Sequence, residues 1–471
     1  MKRPAIFLDR DGTLIEDRGH LGDPAQAVFY PETAPALRRL GGQFLLFIVT
    51  NQNGVAKGLT RLEDVRRVNE HVAAVLAREG IEIREIYTCP HQRSDGCACI
   101  KPKPFFLRKA EAEHGADLPR SFVVGDHPAD VELAANAGAR GIYVLTGHGE
   151  KHRAELRVPC AVEPGISAAV DRIGAERAAG VLRSGGLAAF PTETVYGLGA
   201  DAENEEAVRR LFRAKGRPTG HPLIVHVGGP LEGWAAEVPP AARTLAERFW
   251  PGPLTLVLRR GARVPQVVTG GQDTVGLRVP AHPLARAMLA AFGGGVAAPS
   301  ANRFGKVSPT TAAHVREDLG TDVDFVLDGG PCAVGVESTI VDLSSGAPAL
   351  LRPGGVPLEA IEEALGERVA VPAATAVRAP GRLGSHYAPR AEVVLAAPAE
   401  LEERARELRS AGRSVRVLRL PESETDAARE LYRSLREADA EGVEVVVAAL
   451  PPDSGLGRAV ADRLRKAAGR R

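Results

Sequence analysis

The chain carries almost no surplus charge. Its 60 Lys and Arg residues face 59 Asp and Glu, a formal net charge of +1. A general nucleic-acid binder usually shows a basic excess, so broad nucleic-acid binding is not expected, although a local basic patch is compatible with the total. Cysteine is scarce, with five residues in 471, three of them between Cys89 and Cys99. This pattern does not fit a disulfide framework, and reducing cytoplasm is the expected location. Long apolar runs are missing. No stretch of about 18 apolar residues occurs, so neither a membrane span nor a membrane partner is expected. The opening MKRPAIFLDRDG is basic and then apolar. Its apolar part is too short for a signal peptide and is broken by Asp9. Internal repeats and low-complexity tracts do not stand out.

At 471 residues the chain is too long for one core, and its length implies about three domains. The expected organisation is a first domain over 1–155, a Pro- and Gly-containing linker over 156–174, a second domain over 175–370, a Pro/Ala/Gly linker over 371–389, and a small domain over 390–471.

The first domain opens with a short apolar strand, Pro4 to Leu8, running into Asp9-Arg10-Asp11-Gly12-Thr13. A second apolar strand, Leu45 to Val49, ends in Thr50-Asn51-Gln52. A third, Phe122 to Val124, ends in Gly125-Asp126 and is followed by Asp130. Reactive groups at successive strand ends fit a doubly wound parallel sheet, whose ligands gather at the carboxyl edge. The DxDGT motif is the signature of the haloacid dehalogenase (HAD) superfamily. With TNQ, GVAKG at Gly54 to Gly58, KPKP from Lys101 and GDxxxD, the segment to about His152 resembles the heptose bisphosphate and histidinol-phosphate phosphatase subfamily. The resemblance implies a phosphorylated small molecule as substrate. Asp9 would attack phosphorus and Asp11 would protonate the leaving oxygen. Thr50 and Lys101 would hold the phosphoryl group. Mg²⁺ would be held by Asp9, Asp11 and Asp126. Asp130 would support them or cap the following helix. Where the subfamily has Arg before Lys101, this chain has Ile100, so its usual substrates are not implied. The alternative is a phosphate-sensing module without turnover, against which the intact Asp9 and Asp11 argue.

Cys89, His91, Cys97 and Cys99 lie within eleven positions. Three thiolates and one imidazole suit a tetrahedral, structural Zn²⁺.

In the second domain the apolar run Leu187 to Phe190 reads as a buried strand ending in PTETVYG, a turn dense in hydroxyls. A helical stretch, Glu205 to Ala214, delivers Lys215-Gly216-Arg217. A further strand end opens into Pro299-Ser300-Ala301-Asn302. Arg supplies a planar fork for phosphate oxygens and Lys a mobile point charge. Together with PLIVHV, FWPGPLTLVL, LRVPAHP, ESTIVDL and LRPG, in that order, these segments resemble the YrdC-like family in its two-domain form, the threonylcarbamoyl-AMP synthases. Irregular strand spacing points to a twisted mixed sheet. The resemblance implies a threonine pocket of Thr194, His226, Arg278 and Ser338. It implies ATP contacts from Arg217, His221, Thr274, Ser300, Asn302, Ser308, Arg352 and Tyr387, with His221 standing where the family often has Asn. Lys215 and Arg217, with Mg²⁺, would align and stabilise the phosphates. The implied reaction joins threonine, bicarbonate and ATP to give threonylcarbamoyl-AMP and pyrophosphate. Its product would pass to the transferase machinery that modifies tRNA, with tRNA itself a potential partner. The alternative is a module that binds RNA or nucleotide, leaving the phosphatase as the only enzyme. Ser385-His386-Tyr387-Ala388-Pro389 resembles the family's linker over the active site. The last domain reads as a small Rossmann-like α/β unit with no catalytic constellation of its own.

Overall fold

The computed structural model describes residues 2–372, 376–381 and 387–469. The chain forms two compact units, Met1–Gly174 and Ala175–Arg471.

The first unit is built on six strands: β1 (Ala5–Leu8), β2 (Leu45–Asn51), β3 (Glu85–Cys89), β4 (Phe122–Gly125), β5 (Arg140–Val144) and β6 (Ala161–Glu163). Their order is β3-β2-β1-β4-β5-β6, and every pairing is parallel. This is the doubly wound sheet expected. β1 and β4 are buried at every residue, as strands covered on both faces must be. Phe7, Phe47, Tyr87 and Phe106 stack in sequence with ring centroids 5.1, 5.7 and 5.0 Å apart. That aromatic row fixes the middle strands side by side and brings their carboxyl ends level. The stretch 156–174, read as a linker, contains β6 and the start of the helix Ile166–Arg183.

The second unit contains a nine-stranded mixed sheet and a separate three-stranded parallel one. The strands of the larger are β7 (Ala188–Phe190), β8 (Gly197–Asp201), β9 (Ile224–His226), β10 (Leu254–Arg259), β11 (Thr274–Arg278), β12 (Val296–Ala297), β13 (Phe325–Val326), β14 (Thr339–Asp342) and β15 (Ala349–Arg352). Their order is β13-β7-β8-β12-β9-β11-β10-β14-β15. β9 pairs parallel with β11 and antiparallel with β12, which makes the sheet mixed at its centre. The smaller sheet comprises β16 (Glu392–Leu395), β17 (Val415–Leu418) and β18 (Val445–Ala448), in the order β16-β18-β17. Its helices Glu424–Glu441 and Gly457–Ala468 bury Leu431, Leu435, Val460 and Leu464 in one cluster with Val195, Val307 and Val336 of the larger domain. No helix among the described residues is long and apolar enough to cross a membrane.

Candidate active sites

The first site lies at the carboxyl ends of β1, β2 and β4. Lys101 Nζ donates to Asp9 Oδ1 at 2.5 Å, to Asp130 Oδ1 at 2.6 Å and to the Val49 carbonyl at 2.9 Å. All three side chains are buried. Carboxylate oxygens of Asp9, Asp126 and Asp130 lie within 4.8 Å of one another. Burial pushes Asp9 well above the ordinary carboxylate range, with Asp130, Asp126 and Asp11 adding to the effect and Lys101 opposing it. Burial, then Asp130, raises Asp126 to about 7. Two glycines fit against Asp126. A Cβ on Gly12 (φ +84°) would fall 2.1 Å from Asp126 Oδ2, and one on Gly147 (φ +55°) 2.3 Å from it. Both the conformation and the space require glycine. The same oxygen accepts the His148 N–H at 2.7 Å.

Asp11 has a different environment. The fully buried Arg10 grips it with Nε at 3.0 Å and a terminal nitrogen at 2.9 Å. Gln52 Nε2 donates to it at 2.8 Å and Thr50 Oγ1 at 3.4 Å. Its carboxylate therefore joins Thr50 and Gln52 instead of the Asp9–Asp126–Asp130 group, which takes Asp130 in its place. Asp130 also caps the helix Pro128–Ala137 by accepting the His127 N–H at 3.1 Å. Ile100 sits half-buried next to Lys101.

Beside this site, β3 ends at Cys89. The Sγ of Cys89 lies 3.7 Å from that of Cys97 and 3.2 Å from that of Cys99, and Cys97 and Cys99 are 3.7 Å apart. His91 Nδ1 is 3.8 Å from Cys89 Sγ and 3.4 Å from Cys99 Sγ. A tetrahedral ion with about 2.3 Å bonds to sulfur spaces its ligands about 3.8 Å apart. The four donor atoms are arranged at nearly that spacing.

The second unit holds a cleft lined by Thr194, Arg217, His226, Arg278, Ser300, Ser338, Arg352 and Tyr387 among others. Local sequence explains how these groups arrive. The helix Glu205–Lys215 starts at Asn204, whose side chain accepts the Ala207 N–H, and it carries Glu205 and Glu206 in its first turn. It ends at Gly216 with φ 64°, a left-handed cap that turns Arg217 away from the helical path. Arg217 donates to the Pro222 carbonyl at 2.9 Å and lies 5.6 Å from the Phe304 ring centroid, while its Nε has no partner among the described residues. Burial lowers it to about 10.

β9 and β11 pair side by side and bring His226 opposite Arg278. Burial, then the Arg278 charge, lowers His226 to about 3, so its ring is neutral. Its Nδ1 lacks a partner among the described residues. Arg278 donates to Glu193 Oε1 at 2.7 Å and to the Gly252 carbonyl at 3.2 Å. Glu193 Oε2 takes the Ala281 N–H at 3.0 Å, so the guanidinium is held from behind. Thr194 and Thr192 share a 2.7 Å hydroxyl contact. Arg352 donates to the Ser338 carbonyl at 2.8 Å and to its Oγ at 3.1 Å. Tyr387 is buried with φ 59°, a conformation rare for a bulky residue. A Cβ on Gly381 would fall 2.2 Å from its hydroxyl.

Five residues expected in this site are not among those lining the cleft. Lys215 is buried, and its ammonium donates to the carbonyls of Ser300, at 2.6 Å, and Asn302. Asn302 in turn donates to the Arg303 and Lys306 carbonyls at 3.0 and 2.8 Å. The two brace the loop carrying Ser300. Ser308 donates to Glu337 Oε1 at 2.6 Å, behind the cleft wall. His221 packs on Phe304, ring centroids 5.5 Å apart. Thr274 opens onto an adjoining recess that shares Ile224 and Pro380 with the cleft. Ser385 and His386 lie outside the described residues. The cleft also contains Glu337 and Thr192, which the sequence did not single out, although Glu337 opens the ESTIVDL motif and Thr192 belongs to PTETVYG.

Residues 180–354 match the family described as telomere recombination, which includes the YrdC and Sua5 proteins. Residues 356–469 match the C-terminal domain of threonylcarbamoyl-AMP synthase, and residues 98–166 match a HAD-hydrolase-like family. The threonylcarbamoyl-AMP synthase of Pyrococcus abyssi is 46% identical over 318 residues, which cover 62% of this chain and 94% of the relative. The synthase of Bacillus subtilis is 42% identical over 324 residues, covering 63% of this chain and 93% of the relative. The crystal structure of P. abyssi Sua5 complexed with L-threonine superposes with a TM-score of 0.61 at 46% identity, covering 63% of this chain and 94% of that one. With the cleft residues in place and the match spanning nearly the full length of these relatives, the chain belongs to the threonylcarbamoyl-AMP synthase family, and it carries a HAD-hydrolase-like unit ahead of the synthase part.

Proposed function

We propose that the second unit makes threonylcarbamoyl-AMP from threonine, bicarbonate and ATP, releasing pyrophosphate, and that its product serves tRNA modification. The observation that carries this reading is the convergence of Arg278 and the neutral His226 with Arg217, Ser300 and Arg352 around one cleft. Arg278, oriented by Glu193, is set to pair with the carboxylate of an amino acid. His226, uncharged and with an Nδ1 that has no partner among the described residues, can exchange a hydrogen bond with the ligand without repelling its ammonium. Thr194 and Ser338 supply hydroxyls on the same wall. Arg217 and Arg352 face the phosphates, and Lys215 acts by fixing the Ser300 loop. Threonylcarbamate forms first and then attacks the α-phosphorus, with pyrophosphate leaving. The residues contribute alignment and charge stabilisation. Detection of threonylcarbamoyl-AMP by mass spectrometry, only when all three substrates are present, tests the reading. ATP turnover that ignores threonine contradicts it.

The first unit is read as a phosphomonoesterase. Asp9 is the nucleophile, and Asp11, oriented by Arg10 and Gln52, returns the proton to the leaving oxygen. The clustered oxygens of Asp9, Asp126 and Asp130, only partly balanced by Lys101, fit a hard divalent cation. Mg²⁺ held by Asp9 and Asp126 would supply positive charge at the phosphoryl oxygens. The Cys89–His91–Cys97–Cys99 cluster is read as a structural Zn²⁺ site that holds the loop next to Lys101.

A further inference from the structure

A buried arginine stands between Asp9 and Asp11 in the chain, and an amide from a separate helix holds it. Arg10 is fully buried, and each of its three guanidinium nitrogens has a partner. Two bond Asp11, and the third donates to Asn69 Oδ1 at 2.7 Å. Asn69 Nδ2 donates in turn to Thr88 Oγ1 at 2.9 Å. Thr88 lies on β3 opposite Thr50 of β2, and Thr50 and Gln52 also donate to Asp11. The carboxylate is therefore held from two sides, each rooted where β2 and β3 pair.

Packing alone does not account for Asn69. Its helix, Leu62–Arg78, turns Val65, Val68, Asn69, Val72 and Leu76 inward. The four apolar residues are 0% exposed and Asn69 is 7% exposed. An amide on that stripe is a poorer helix former than leucine, and its burial is tolerated because both of its ends are hydrogen-bonded. Arg10 is costlier still to bury, since desolvation of the cation offsets most of what its pairing with Asp11 gains. Stability explains neither residue, and both lead to one carboxylate. A two-pronged pairing fixes the plane of a carboxylate as well as its distance.

We propose that Asn69, backed by Thr88, is a positioning residue of the phosphatase: it sets the Arg10 guanidinium, which aims Asp11 at the leaving oxygen. The inference rests on the phosphomonoesterase reading and deepens it. In the first half-reaction the bond from Asp9 to phosphorus forms as the ester P–O bond breaks. The electron pair left on the ester oxygen takes the Asp11 proton. In the second, water attacks the aspartyl phosphate, Asp11 takes a proton back, and phosphate leaves with Asp9 restored. A misaimed Asp11 slows the first half only where the leaving oxygen needs a proton. An alkoxide needs one, whereas a nitrophenolate departs as the anion.

The test uses the full chain with Mg²⁺ and two esters of similar size in parallel, benzyl phosphate and p-nitrophenyl phosphate. The quantity compared is kcat/KM, which covers only the steps through loss of the leaving group. Asn69→Leu, which keeps the side chain's size, should lower it for the benzyl ester by about tenfold or more and for the nitrophenyl ester by less than about threefold. Thr88→Val should act in the same direction to a smaller degree, and Thr88→Ser should recover most of that loss. Unfolded protein lowers both rates equally, so their ratio reads the aim of Asp11 and not stability. If Asn69→Leu does not fold, Thr88→Val against Thr88→Ser carries the test. Equal losses on both esters, or no loss, overturn the positioning role, as does a natural protein that cleaves the nitrophenyl ester alone. A natural protein that cleaves neither ester, or whose cleavage survives Asp9→Asn, overturns the phosphatase reading itself, and so the two failures are distinguishable.

Discussion

Lys215 and Arg217 stand two residues apart, yet their replacement should have opposite signatures. Lys215→Met removes the donor to the Ser300 and Asn302 carbonyls. Each carbonyl left buried without a donor costs about 1–3 kcal/mol, so the gross penalty is about 2–6 kcal/mol. Part is recovered, because burial and the neighbouring Arg217 already press the Lys215 ammonium towards its neutral form, and that cost disappears with it. The net loss should fall near the lower end, about 2 kcal/mol. For a unit spanning residues 175–471 that is a fall in Tm of about 3 °C. Arg217→Ala loses one bond to the Pro222 carbonyl, but it also removes a buried Nε that has no partner among the described residues. Those effects nearly cancel, leaving stability within about 1 kcal/mol. Activity should separate the pair in the other sense. Arg217→Ala should lower threonine-dependent pyrophosphate release by about 10²–10³, the usual cost of losing a charged contact in the transition state. Calorimetry of the second unit's transition, together with the release assay, reads both quantities. A Lys215→Met protein melting within about 1 °C of the natural one would refute the bracing role.

Freshly purified protein should contain one zinc per chain, and Cys97→Ser should release it and lower the first unit's melting temperature while leaving pyrophosphate synthesis intact; metal analysis without zinc counts against the site. Asp126 stands at about 7 when folded and about 3.9 when unfolded, so the folded state binds the extra proton and metal-free protein loses stability as pH rises from about 4 through 7. Added Mg²⁺ should therefore raise the first unit's Tm more at pH 8 than at pH 5, and an equal rise at both would contradict the assignment. Ile100→Arg should raise kcat/KM for sugar bisphosphates by about tenfold, the value of one charged hydrogen bond, and a natural protein already strongly preferring bisphosphates would show that the cation is not needed.

Strand ends bearing short polar motifs were legible because apolar runs stop abruptly there. β1, β2 and β4 delivered Asp9, Thr50 and Asp126 where expected. β3 was hidden, since EIYTC mixes charge and hydroxyl with apolar residues and its last residue was read as part of the metal loop. β8 reads GLGAD, a poor strand by propensity, and it forms only because β7 and β12 flank it. The direction of Lys215 could not be read from KGR. It depends on carbonyls 85 and 87 residues later. The ion pair of Glu337 was equally hidden, because its Arg463 partner lies 126 residues away on an amphipathic helix that resembles any surface-packing helix. The grip of Arg10 on Asp11 reflects a side-chain fold-back that the motif does not encode.

Two active sites on one chain call for a test that follows them independently. The direct measurement follows two reactions with the full-length protein and two variants. One is Mg²⁺-dependent phosphate release from a phosphomonoester, and the other is pyrophosphate release requiring threonine and bicarbonate. Asp9→Asn should abolish the first and leave the second unchanged, while Arg278→Ala should lower the second by about 10² and leave the first unchanged. A variant that removes both activities, or a natural protein that lacks either, would contradict the account.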